Sequence, residues 1–115
     1  MAYEAVSTVV ASAARTATGQ SSAININGIA PAINLLVDCP TVTGTTPALD
    51  LSVEWSPDGG TTWCVADAAD TFTQITAAKQ VAKRFTVKAP TYRVKWTIGG
   101  ASPSFTFSVY EYRTA

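Results

Sequence analysis

The sequence contains no histidine. That excludes Ser-His-Asp and Cys-His catalysis and any metal site built on imidazole. Cysteine is nearly as scarce. Cys39 and Cys64 are too few for a disulfide framework or a structural zinc site, so both are expected as free, buried thiols of a protein made in a reducing compartment. No apolar run approaches the length of a membrane helix. The opening MAYEAVSTVV lacks the basic region and apolar core of a signal peptide. No Gly-rich loop precedes a helix where it could hold a phosphate, because PDGG and IGGASP both read as strand-to-strand connections. The expectation is a non-enzymatic protein without catalytic residues, cofactor or metal.

What the chain does have is period-two alternation. Leu49, Leu51, Val53 and Trp55 alternate with Asp50, Ser52 and Glu54. Tyr92, Val94, Trp96 and Ile98 alternate with Arg93, Lys95 and Thr97, and Phe105, Phe107 and Val109 with Thr106, Ser108 and Tyr110. Each pattern describes a strand with one buried and one wet face. Further strands are expected at 6–11, 22–27, 33–39, 61–66, 71–76 and 81–88, separated by turns at NGIAP, GTTP, PDGG and GGASP. Only AAKQVAK suggests a helical turn. Eight or nine short strands in 115 residues indicate an all-β chain: an antiparallel β-sandwich, jelly-roll-like, with an immunoglobulin-like arrangement as the alternative. Residues 15–115 form a single domain on this reading, and 1–14 an N-terminal arm or edge strand.

An internal echo runs through the pattern. GTTPALDLSV at 44–53 aligns without gaps on GASPSFTFSV at 100–109. Both read as one hairpin used twice, following strands that end on Val42 and Ile98 and packed through Trp55, Trp96, Phe105 and Phe107.

The net charge is zero, yet the charges are sorted. Asp38, Asp50, Glu54, Asp58, Asp67 and Asp70 fall in a span with no base. Lys79, Lys83, Arg84, Lys88, Arg93 and Lys95 then follow with no acid between them. No aromatic-rich segment accompanies the bases as a nucleic-acid stacking platform, so they read as wet strand faces. Lys83, Arg84 and Lys88 are the candidates for an interface between copies.

SPDGGTTW at 56–63 has the S-x-D-x-G-x-T-W spacing of the Asp-box found in sialidase propellers. Sialidase chemistry also needs clustered arginines, a tyrosine nucleophile and a much longer frame. Here four arginines are scattered and the box occurs once. Ser56, Asp58, Gly60 and Trp63 are therefore expected to build a structural turn. Pro57 would preset φ, the glycines would take positive φ, Asp58 would accept backbone N–H bonds, and Trp63 would cover the hairpin. DAAD at 67–70 reads as a solvated loop.

Taken in order, RTATG at 15–19, SPDGGTTW, FTQIT, KRF and YRVKWTIGGASPSFTFSV resemble small virion proteins encoded by tailed bacteriophages and prophages. The likeness spans most of residues 14–110, and CVADAAD and VDCP depart from it. The resemblance implies a virion structural protein made in the bacterial cytoplasm. On it rests the expectation of a capsid decoration protein on the capsid surface. Its partners would be the major capsid protein and copies of itself, in a possible trimer, with no direct contact to nucleic acid or membrane. The alternatives are a neck or tail component, or a carbohydrate-binding module of an adhesin displaying Tyr110 and Tyr112. In the assembly this suggests, the acidic span of one copy meets the basic span of the next, and 1–14 orders only on a neighbour.

Overall fold

A computed structural model describes residues 6–26 and 31–114. Strands dominate it, and no helix occurs among the described residues. In chain order the strands are β1 (Ser7–Arg15), β2 (Gly19–Gln20), β3 (Ile24–Asn25), β4 (Ala32–Ser56), β5 (Cys64–Val65), β6 (Lys79–Thr86) and β7 (Thr91–Thr114). They form one antiparallel sheet centred on β4 and β7, which pair from Ala32↔Thr114 to Ser56↔Thr91.

A straight strand of 25 residues would span about 80 Å. The longest dimension of the molecule is 44 Å. Both long strands must therefore bend, and they bend together. Pairing is irregular between Asp38 and Ala48, opposite 99–108 of β7. Gly44 and Gly100 have φ of 117° and 112°, and Thr46 and Ser102 have φ of 46° and 47°. The bend turns the sheet into a sandwich of its own two halves. One layer holds β1, the second half of β7, the first half of β4, and β6. The other holds β2, β3, the first half of β7, the second half of β4, and β5.

The all-β antiparallel sandwich expected from alternation is thus present, built from one sheet. Its core is the set of alternating positions: Leu49, Leu51, Val53 and Trp55, then Tyr92, Val94 and Trp96, then Phe105, Phe107 and Val109, all buried. Contacts across the layers show the fold-back. Trp96 and Phe107 lie on one strand, yet their rings meet edge to face at 5.5 Å. Phe72 and Phe85 meet at 5.4 Å.

Several expectations are corrected. GTTP and GGASP are kinks within continuous strands, so the echo is not one hairpin used twice. Its two copies meet antiparallel only at their kinked starts, where Thr45 pairs with Ala101, and then diverge: 48–53 pairs with 94–99 of β7, and 104–109 with 37–43 of β4. Local chemistry favours a turn at each, but a paired neighbour holds the chain extended. AAKQVAK contributes to β6 rather than a helical turn, because Val81 and Phe85 face the inner side opposite Val37 and Ile33. Residues 61–66 shorten to β5, and 71–76 make only the bridges Ser52↔Thr71 and Leu49↔Ile75. Of the two readings of 1–14, the described residues 7–14 follow the edge strand: they pair with β7, with Val10 buried. The turn NGIAP and the first five residues lie largely or wholly outside the described residues.

Candidate functional site

The SPDGGTTW turn sits where β4 leaves the sheet. Ser56, fully buried at the strand end, donates its hydroxyl to Asp58 Oδ1 at 2.9 Å and accepts from the Gly60 N–H at 2.8 Å. Asp58 Oδ1 also accepts the N–H groups of Thr61 at 3.2 Å and Thr62 at 2.8 Å. Gly59 and Gly60 take φ of 77° and 107°, and a Cβ on Gly60 would lie 3.4 Å from the Trp63 ring. Bonds to Thr62, first its N–H and then its hydroxyl, hold the Asp58 carboxyl below its ordinary range, with Ser56 adding to the effect. Every acceptor direction described for this carboxylate points into its own turn. Trp63 is only half-buried, because β5 is two residues long and brings no second layer over it. The Arg93 guanidinium covers its ring instead, 4.2 Å from the centroid.

Around the turn, the sorted charges find partners within the chain. Antiparallel pairing sets Glu54 opposite Arg93, and Arg93 Nε donates to Glu54 Oε1 at 2.7 Å. Asp70 lies 2.9 Å from Lys88 Nζ and accepts the Trp55 indole N–H at 2.8 Å. Lys88 also lies over the Trp55 ring at 5.4 Å. DAAD is therefore not wholly solvated: its last residue braces a core tryptophan. Lys83 points to the inner side of β6, lies over Phe85, and donates to the Thr71 carbonyl of the other layer. A lysine so placed closes the open side of the sandwich and discourages edge pairing. Of the three candidate interface bases, Lys83 and Lys88 thus have intrachain tasks, and Arg84 lies on the outer side of β6 opposite Asn34.

RTATG encloses a single residue, Trp96. The Arg15 guanidinium stacks over the Trp96 ring at 4.8 Å and the Phe107 ring at 5.4 Å. The Trp96 indole N–H donates to Ala17 O at 3.2 Å, and the Thr18 hydroxyl accepts from the Ile98 N–H at 3.1 Å. Gly19 lies so close that a Cβ there would sit 3.0 Å from the ring. Within FTQIT, Phe72 and Ile75 are buried, while Gln74 bonds Asp50 on the surface.

Sequence reading missed one polar cluster. Glu111 is 2% exposed. It accepts the Tyr92 hydroxyl at 2.5 Å and Arg113 Nε at 2.7 Å, while Arg113 Nη2 donates to Asn25 O at 3.0 Å. The signal was available, since the inward phase of Phe105, Phe107 and Val109 continues to Glu111. One of the two cysteines also differs from expectation. Cys39 is buried, with burial and the neighbouring Asp38 pushing its thiol up, whereas Cys64 is exposed on β5; both are free.

No group of three or more His, Cys, Asp or Glu residues suited to a metal ion occurs among the described residues. No protein-family model and no curated protein matches the chain. The segments that carried the likeness to virion proteins are thus placed: they hold the turn, the tryptophan enclosure, the core and the kinks.

Proposed function

We propose that this chain is a non-enzymatic structural protein of a tailed-phage virion that decorates the capsid, binding the major capsid lattice from outside in many copies. The observation that carries the reading is how the resembling segments are used. RTATG encloses Trp96, SPDGGTTW closes on its own Ser56 and Asp58, FTQIT supplies Phe72 and Ile75, and GGASP forms half of the central kink. Side chains that would otherwise be available for chemistry hold one shape. A shell protein under internal pressure requires that rigidity.

Decoration requires a docking surface. A specific contact hides on the order of 800 Å² per partner, a modest part of the 6161 Å² that this chain exposes. With Lys83 and Lys88 engaged internally, contacts between copies depend less on sorted charge than on shape. Purified protein added to capsids lacking it tests the reading. Saturable binding to the shell, abolished when the lattice is disassembled, is expected. Binding confined to isolated necks or tails would replace decoration with the neck or tail alternative.

A further inference from the structure

The outer face of the β1–β7–β4–β6 layer carries a feature that the capsid reading does not use. Its register places Leu36 between Ala82 on β6 and Tyr110 on β7, and Asp38 between Gln80 and Ser108. Leu36 is among the few large apolar side chains left exposed, at 38%. Ala82 is too small to fill its position, so a groove of about 460 Å³ runs over Leu36 and Ala82, with Tyr110 along one side and the Asp38–Gln80 pair at one end. Sites for small ligands range over about 300–1,000 Å³ and combine an apolar lining with a few convergent polar groups.

The chemistry of the lining narrows the ligand. Among the described residues no cation lines the groove, so its lining offers nothing to select an anion. Among the described residues its one carboxylate is Asp38, which accepts Gln80 Nε2 at 2.9 Å; a single carboxylate on an open surface supplies an acceptor rather than the several oxygen ligands that a cation site needs. That hydrogen bond holds the carboxylate and the amide side by side. Asp38 Oδ2 and Gln80 Oε1 remain as acceptors, and the second Nε2 hydrogen remains as a donor. Paired acceptors and a donor along one edge match vicinal hydroxyls, each of which both donates and accepts. The Leu36 side chain and the Tyr110 ring match the apolar C–H face of a pyranose, and tyrosine presents such a face with a polar tip.

We propose that this groove binds a neutral oligosaccharide, stacked on Tyr110 over Leu36 and Ala82 and hydrogen-bonded to Asp38 and Gln80. The site stands whether or not the chain decorates a capsid. An open groove implies weak single-site binding, with Kd on the order of 1 mM. Display in many copies would raise the overall avidity by about 10²–10⁴.

The experiment has two stages. Protein clustered on beads is applied to an array of neutral bacterial surface oligosaccharides. The monomeric protein is then titrated with maltose, cellobiose, lactose and N,N′-diacetylchitobiose while its amide resonances are recorded. Array binding is expected, with saturable shifts at Leu36, Asp38, Gln80, Ala82 and Tyr110. Tyr110→Ala and Gln80→Ala should each weaken binding at least about tenfold, the 1.4 kcal/mol equivalent of lost contacts, with the melting temperature of the parent retained. Absence of binding on the array and in the titration overturns the proposal. So do shifts confined to another surface, binding indifferent to Tyr110→Ala, or shifts that track protein concentration alone, which would mark the groove as a contact between copies.

Discussion

Gly44 and Gly100 hold the same conformation at the midpoints of paired strands, and each closes against the other's strand. A Cβ on Gly44 would lie 2.9 Å from the Pro103 Cα and the Ser102 carbonyl oxygen; one on Gly100 would lie 2.7 Å from the Thr46 carbonyl oxygen. With φ of 117° and 112° they form a reciprocal pair about a local two-fold. This is the structural meaning of the internal echo, and it lets one sheet fold over its own core.

Alanine at either position should therefore be costly. The disfavoured φ contributes about 1–2 kcal/mol, and the backbone clash adds about 1–3 kcal/mol. Urea denaturation of Gly44→Ala and Gly100→Ala should show losses of about 2–5 kcal/mol. Gly99, with ordinary φ and no atom within 4 Å of its would-be Cβ, is the control: Gly99→Ala should stay within about 0.5 kcal/mol. Equal effects at all three positions would refute the reciprocal kink.

The Tyr92–Glu111–Arg113 cluster predicts an alkaline limit. Burial, then the hydrogen bond to Glu111 and its charge, pushes the Tyr92 phenol far above its ordinary value of 10.0. The unfolded chain loses this proton near pH 10 while the folded chain keeps it. Tyr92 therefore contributes stability that is complete below that pH and falls as pH rises beyond it. Unfolding free energy measured from pH 8 to 11 should decline more steeply in the parent than in Tyr92→Phe. Glu111→Ala strands Arg113 near Tyr92 and should cost about 3–5 kcal/mol at neutral pH. Parallel pH profiles for parent and Tyr92→Phe would contradict this account.

Asp58 predicts the opposite limit. Its folded carboxyl titrates below 3.8, chiefly through the Thr62 N–H. Its contribution is therefore present above the unfolded value and disappears as pH falls through the folded one. Asp58→Ala should melt below the parent at pH 7, and the gap should narrow once the pH drops under about 4. A gap independent of pH would show that the carboxylate does not hold the turn.

Much of this fold was legible because alternation reports burial directly: the inward phases of 49–55, 92–96 and 105–109 are the core. The SPDGGTTW turn was legible because the bonds of Ser56 and Asp58 are local, with every partner within four residues. Continuity of β4 and β7 was not. Gly44, Pro47, Gly100 and Pro103 each signal a turn when read singly, and only the pairing of one kink with the other keeps the strands unbroken. The tasks of Arg15, Asp70 and Glu111 were hidden for a related reason. Their partners Trp96, Lys88 and Tyr92 lie 81, 18 and 19 positions away in sequence and meet them only after folding. The charge sorting was visible, but its use within the chain was not, because the register that pairs Glu54 with Arg93 follows from the fold.

Copy number in purified particles tests the central claim most directly. Quantitative mass spectrometry against the major capsid protein should find this chain on the order of hundreds of times per particle, as a lattice-wide partner requires. About six or twelve copies, the number expected of a ring at a single vertex, would contradict decoration and place the chain in the neck or tail. Absence from particles would contradict a virion role altogether.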